Sequence, residues 1–135
     1  MGKNKYYTYS FEKLEVWKLA RKIRNQIYEL SEDFPNVEKF GVTSQIRRSS
    51  NRVTDNIAEG SGRASNTDRA HFTNIAFSSV LETINHLITC HDQKYISTDT
   101  YEKKRIQLDE LINKLNSFYR HQLNEGRSVK EKFRE

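Results

Sequence analysis

The chain has 135 residues, 35% hydrophobic and 30% charged, with a net charge of +5, a pI near 9.3 and a mean hydropathy of -0.89. That length suits one ordinary domain, and no stretch is long and apolar enough to cross a bilayer. The opening Met1-Gly2-Lys3-Asn4-Lys5-Tyr6 has no apolar signal-peptide core, and Tyr6 stands where a myristoylation pattern needs Ser or Thr. With a single cysteine, Cys90, and no Asn-x-Ser/Thr acceptor, a reducing, cytoplasmic setting is expected.

One proline and five glycines predict long regular elements, helices rather than a many-turned β fold. Residues 1–9 read as a basic, aromatic arm. After Ser10, the predicted N-cap, the residues Val16, Ala20, Ile23, Ile27, Leu30 and Phe34 recur at alternating steps of four and three, the seam of a bundle helix. Pro35 stops this first helix because the residue before a proline is pushed out of the α region, and Gly41 completes the turn. Val42, Ile46, Ser49, Ser50, Val53 and Ile57 form a second seam whose middle is small enough for close approach of another helix. Gly60-Ser61-Gly62 is expected to end it with left-handed glycines.

Ser65 with Asp68 reads as the capping box of a third helix over about Asn66 to His91, whose apolar residues wrap more than one stripe. Asp99 with Glu102 is the next capping box, followed by the seam Tyr101, Leu108, Leu111, Ile112, Leu115, Phe118 and Tyr119. Short connections imply antiparallel neighbours. The fold class expected is therefore all-α, an up-down-up-down four-helix bundle over residues 10–123. Residues 124–135 surround only Val129 and Phe133 with charge, and a mobile tail is expected there.

Charge is unevenly spread. Residues 10–34 carry five basic and five acidic groups and residues 99–119 carry four of each, so neither segment reads as a polyanion site. Residues 39–63 hold Lys39, Arg47, Arg48, Arg52 and Arg63 against Asp55 and Glu59, a balance of +3. Lys3 and Lys5 add charge to the arm, and residues 120–135 carry five basic against three acidic groups, Arg127 and Lys130 among them. Gln45, Arg48, Arg52, Asn56 and Glu59 recur at helical spacing as a polar stripe. Three readings of that stripe stand: a solvated face with weak local pairs, a subunit contact using planar Arg forks, or Arg47, Arg48, Arg52 and Arg63 on phosphates. Tyr6, Tyr7 and Tyr9 among lysines suit stacking on unpaired bases, although packing over the bundle end is the commoner role for such an arm.

Catalytic patterns fail on spacing. His86 and His91 are five apart rather than four, Cys90 lacks a second thiol, and Glu82 is followed three residues on by Asn85 rather than the His of a bundle di-iron site. His71 and His121 complete no set. There is no phosphate loop and no nucleophile elbow. No enzyme activity, metal or cofactor is expected.

The stretch Phe11-Glu12-Lys13-Leu14-Glu15-Val16-Trp17, then Gln45-Ile46-Arg47-Arg48 and Asn56-Ile57-Ala58-Glu59-Gly60 with Arg63, Phe72, Ala76, Ser79 and Glu82, resembles the 23S rRNA intervening-sequence protein family. Its members are also called S23-type ribosomal proteins or four-helix bundle proteins, and are encoded within insertions in bacterial large-subunit ribosomal RNA genes. The resemblance covers roughly residues 10–120. It implies an antiparallel bundle that assembles as a homopentameric ring, distantly similar to accessory proteins that bind RNA and a reverse transcriptase in diversity-generating retroelements. It also implies intra-bundle or intersubunit hydrogen bonding for Gln45, Arg48, Asn56, Glu59 and Glu82, with a buried Arg–Glu pair among them. Thr54 stands where the family often has Pro, and Ser78 where it often has Gly.

The expectation is thus a homo-oligomer that binds RNA through a basic surface, with Arg47, Arg63, Lys3, Lys5, Arg127 and Lys130 on phosphates. The rival is a scaffold or adaptor for a protein partner.

Overall fold

The computed structural model describes residues 5–134, with side chains described for residues 5–124. The chain forms α1 (Glu15–Ser31), α2 (Val42–Ser61), α3 (Asn66–Asp92) and α4 (Thr98–Arg134), with 3-10 turns at Ser10–Lys13 and Asn36–Glu38. No strand occurs among the described residues. Each helix packs on the next in sequence and α4 returns to α1, which is the expected antiparallel bundle. The expectations for the tail beyond Asn124, and for Lys3, Arg127 and Lys130, fall outside the described side chains.

The seams become the core. Val16, Ala20, Ile23 and Ile27 from α1 meet Ile46, Val53 and Ile57 from α2, Ala76, Val80 and Leu87 from α3, and Leu108, Leu111 and Leu115 from α4. Each large aliphatic buried this way contributes roughly 1.5–3 kcal/mol. The α4 seam overreached at its margin, where Tyr119 is exposed, and of the apolar residues wrapped around α3, Leu81 and Ile88 face solvent. At the far end, Phe34 lies 5.8 Å from the ring of Tyr95, whose hydroxyl donates to Glu38 Oε2 at 2.7 Å. That bond ties the α1–α2 connection to the α3–α4 turn.

Helix ends depart from the sequence reading. Ser10 caps no α-helix; it opens the first 3-10 turn, where the Tyr9 N–H donates to Glu12 Oε2 at 2.7 Å and the Glu12 N–H to the Tyr9 carbonyl at 3.1 Å. Helix α1 ends at Ser31 rather than Phe34, because the chain tightens into three-residue turns that close Glu32 on Glu29 and Phe34 on Ser31 before Pro35 extends it. The third helix keeps its cap, with the Asp68 N–H donating to Ser65 Oγ at 3.1 Å. For α4 the capping oxygen is Ser97 Oγ, 3.1 Å from the Thr100 N–H, two residues before the expected Asp99.

The glycines behave unexpectedly too. Gly62 is right-handed at φ -88°, and no described glycine has positive φ. Gly60 lies inside α2, where a Cβ would sit 2.8 Å from Phe72 Cβ and 3.4 Å from the Arg69 carbonyl oxygen. Its role is close contact with α3. The left-handed residue is Lys94, at φ 64°, just past α3. There the Tyr95 N–H reaches the Cys90 carbonyl at 2.8 Å and the Lys94 N–H the His91 carbonyl at 3.0 Å, a Schellman ending without its usual glycine.

Two substitutions should therefore act in opposite directions. Gly60→Ala gains helix propensity yet overpacks the α2–α3 contact, and is expected to destabilise the fold by about 1–3 kcal/mol. Lys94→Gly relieves a left-handed side chain and should stabilise it by about 0.5–1 kcal/mol. Urea midpoints at unchanged m-value read both.

Candidate functional site

Helix α2 carries different chemistry toward each neighbour. Toward α3, Arg52 Nη2 lies 2.6 Å from Glu82 Oε2, and the same oxygen lies 3.4 Å from His86 Nε2. Asn56 Nδ2 donates to the Arg52 carbonyl at 2.7 Å, holding that turn. Beneath this pair, the buried Thr83 Oγ1 lies 2.8 Å from the buried Ser49 Oγ. The buried Arg–Glu pair that the resemblance implied through Arg48 does not form among the described residues; Arg52 takes the contact instead, and it is half-exposed, with the side chains of Arg52 and Glu82 43% and 42% accessible, so water screens their attraction. Glu59 turns to Arg63, 3.1 Å away, while Gln45 and Arg48 are exposed and make no side-chain hydrogen bond among the described residues. The stripe is therefore several local arrangements on one side of α2. Thr54 continues the helix, its Oγ1 donating to the Asn51 carbonyl at 2.9 Å, and Ser78 is exposed on α3.

Toward α1, Arg47 caps the neighbouring helix. Its Nε donates to Ser31 Oγ at 2.7 Å, its Nη2 reaches the Tyr28 carbonyl at 3.3 Å, and its guanidinium lies 4.8 Å from the Tyr28 ring centroid. A cation at the carboxyl end of α1 also suits the helix dipole. Asn51 Nδ2 adds a bond to the Tyr28 hydroxyl at 2.6 Å. Arg63 lies beyond the other end of α2, 4.5 Å from the Phe72 ring, and its carbonyl accepts from Arg69 Nε at 2.8 Å. The fourteen residue-to-residue steps from Arg47 to Ser61 rise about 21 Å along α2. Arg47 and Arg63 thus belong to different ends of the bundle.

Antiparallel topology gathers other cations at the Arg63 end. The start of α1, the end of α2 and the start of α3 meet there, and Thr73 Oγ1 donates to Gln122 Oε1 at 2.6 Å to join the α4 segment to them. Arg63, Arg69 and Arg120 share this end, with Glu59 and Asp68 beside them, and Lys5 lies in the arm that leads into it; Lys5, Arg63 and Arg120 are exposed.

A further cationic group lies where the charge tally predicted none. Lys104 of α4 is half-buried at the α1 seam, with Nζ donating to Gln26 Oε1 at 2.9 Å and Gln107 Oε1 at 3.0 Å. Burial pulls its ammonium below the usual lysine range, and the positive charges of Lys22 and Lys103 act in the same direction against Glu29. Cross-helix juxtaposition of this kind leaves no trace in a count by segment. Lower along the same seam a shallow groove of about 800 Å³ is lined by Leu14, Val16, Ile106 and Phe118 and rimmed by Glu15, Asp109 and Glu110.

No three His, Cys, Asp or Glu residues are placed to hold a metal ion among the described residues. His91 stacks on Tyr101 at 4.4 Å and pairs with Thr98 Oγ1 at 3.0 Å. Burial, reinforced by the charge of Glu38, pushes the Cys90 thiol up to about 11, so it is a protonated core group at neutral pH. No helix is long and apolar enough to cross a membrane among the described residues.

Four antiparallel helices with a polar α2–α3 face and cations gathered at one end define a small four-helix bundle protein. The model of the 23S rRNA-intervening sequence protein family matches residues 12–117, and the chain belongs to that family. The crystal structure of a protein of unknown function from the S23 ribosomal protein family of Bacteroides thetaiotaomicron VPI-5482 is similar, at 27% identity and a TM-score of 0.71. The similarity covers 77% of this chain and 97% of that one. No curated protein matches the chain.

Exposure sets the energetic ranking on the α2–α3 face. A double-mutant cycle of Arg52→Ala with Glu82→Ala should give a coupling of about 0.5 kcal/mol that shrinks with salt. Thr83→Val, which strips a buried hydroxyl pair, should cost about 1–2 kcal/mol whatever the salt. A larger, salt-insensitive Arg52–Glu82 coupling in chemical denaturation would overturn that ranking.

Proposed function

We propose that this chain is a non-enzymatic, cytoplasmic RNA-binding protein whose basic surface is built up by homo-oligomerisation. The observation that supports this reading best is the gathering of Arg63, Arg69 and Arg120 at one end of the bundle, with Lys5 in the arm that leads into it, where RNA phosphates are the polyanion that complements them. Lys3, Arg127 and Lys130 extend the proposed contact along the termini. Arg47 takes a secondary part, because its guanidinium serves the end of α1 on a half-buried side chain, whereas Arg63, though paired with Glu59, is exposed. Family membership points the same way, since the family is named for a position within ribosomal RNA genes. A pentameric ring, as the family resemblance implies, would present five copies of each cationic end and turn a modest monomer charge into a strong one.

Light scattering of the purified protein with a short RNA pool, at low and raised salt, tests this reading. A ring of about five subunits should gain RNA mass at low salt and lose it at high salt. Four phosphate contacts on single-stranded RNA predict an affinity drop of roughly fiftyfold between about 50 and about 200 mM salt. Lys5→Gln, Arg63→Gln and Arg120→Gln combined should flatten that dependence, whereas Arg47→Gln should lower stability more than affinity. A ring that ignores RNA but retains a stoichiometric protein after nuclease treatment would make the adaptor reading the correct one.

A further inference from the structure

The aromatic arm is held out from the bundle rather than folded over its end. Tyr6, Tyr7 and Tyr9 are 72%, 73% and 59% exposed, although each ring has apolar faces that gain by leaving water. Tyr7 and Tyr9 are nonetheless held in place. Tyr9 is clamped by the two bonds it shares with Glu12, and its ring lies near-parallel to Phe11, 14° between planes and 6.5 Å between centroids. Tyr7 meets Tyr9 edge-on at 5.0 Å, and Phe11 meets Trp17 edge-on at 5.2 Å. Trp17, half-buried on the core, roots this ladder in α1, and the Arg21 guanidinium lies 5.3 Å from its ring centroid.

The arm's chemistry selects its partner. Residues 5–10 read Lys-Tyr-Tyr-Thr-Tyr-Ser, with no aliphatic side chain of the kind that anchors a protein interface and no carboxylate. The acidic group at its root, Glu12, is held on the Tyr9 N–H. Lys5 and Arg21 flank the rings with exposed positive charge. Flat hydroxylated rings between cations match a chain of flat bases joined by phosphates, and stacking requires bases free of a duplex.

We propose that Tyr6, Tyr7 and Tyr9 form a stacking platform for unpaired bases of single-stranded RNA, with Lys5 and Arg21 on the flanking phosphates. This rests on the RNA-binding reading above and adds a preference for unpaired over duplex RNA. The platform lies at the same end of the bundle as Arg63, so one strand can meet both.

Fluorescence anisotropy of the full-length protein with a labelled twelve-nucleotide oligouridylate, and with a fully paired RNA duplex of equal length, tests it. The double variant Tyr6→Ala/Tyr7→Ala should lose roughly tenfold or more in affinity for the single strand, with little change on the duplex. Its salt slope should stay that of the wild type, because phosphate contacts remain. Tyr6→Phe/Tyr7→Phe should keep wild-type affinity, since the ring rather than the hydroxyl carries the contact. Both sites are exposed, so circular dichroism and thermal unfolding should match the wild type. Equal single-strand affinity for the Ala variant, equal losses on both RNAs, or a Phe variant as weak as the Ala variant would each overturn the platform. If the cationic variants weaken binding while the tyrosine variants do not, the platform fails and the RNA-binding reading survives; if the wild type binds neither RNA, both fall.

Discussion

Small residues between α2 and α3 set the geometry on which the rest of the bundle depends. Ser49, Gly60, Ala76 and Ser79 are all buried, and at Gly60 there is no room for even one added carbon beside Phe72. Contact this close converts helix position into side-chain position. Arg52 meets Glu82 at 2.6 Å, Thr83 meets Ser49 at 2.8 Å, and Phe72 comes under the guanidinium of Arg63 because α2 cannot slide or rotate on α3 without losing all three. The hydroxyl pair fixes register from within, while the half-exposed ion pair adds orientation more than stability.

The cations divide along α2 according to which neighbour they serve. Arg47 is spent inside the fold, ending α1 much as a bound cation would. Arg63 and Arg69 lie at the opposite end, where Arg69 closes the chain just past α2 through the Arg63 carbonyl and Arg63 pairs with Glu59 at the surface. Lys104 is a third case, a half-buried ammonium held by two amide oxygens among other positive charges. A net charge of +5 thus describes three different electrostatic roles.

What the sequence made legible was whatever repeats. The seams of α1, α2 and α4 follow from helical spacing, and those of α1 and α2 predicted the buried positions nearly residue by residue. The Ser65 cap was legible because its bond to Asp68 is local. Less local features were not. Lys94 carries no glycine to advertise its left-handed turn, and Ser97 caps α4 although Asp99 has an equally good local pattern. Gly60 looked like a helix stop because sequence records its flexibility and not the Phe72 that needs its missing side chain. The polar stripe was visible as a periodicity, but its division among Glu82, Arg63 and solvent depends on which helix stands opposite each turn. The cationic end and the Lys22–Lys104 group arise from chain reversal, which a tally by segment averages away.

The seam between α1 and α4 has a consequence for how the bundle breathes. It is bridged by Lys104 to Gln26 and by Lys114 to Glu15, long side chains across a shallow groove, whereas α2 and α3 are locked by buried hydroxyls and a glycine contact. It is also the pairing that joins the most distant parts of the chain and the most sparsely packed of the helix pairings, so opening there costs least. The α2–α3 hairpin, the most densely packed pair, is expected to be the slowest to exchange. Helix α1, with the aromatic arm rooted on Trp17, is expected to part from the rest first, and any ligand seated on that arm alone would hold only the most easily opened layer of the fold.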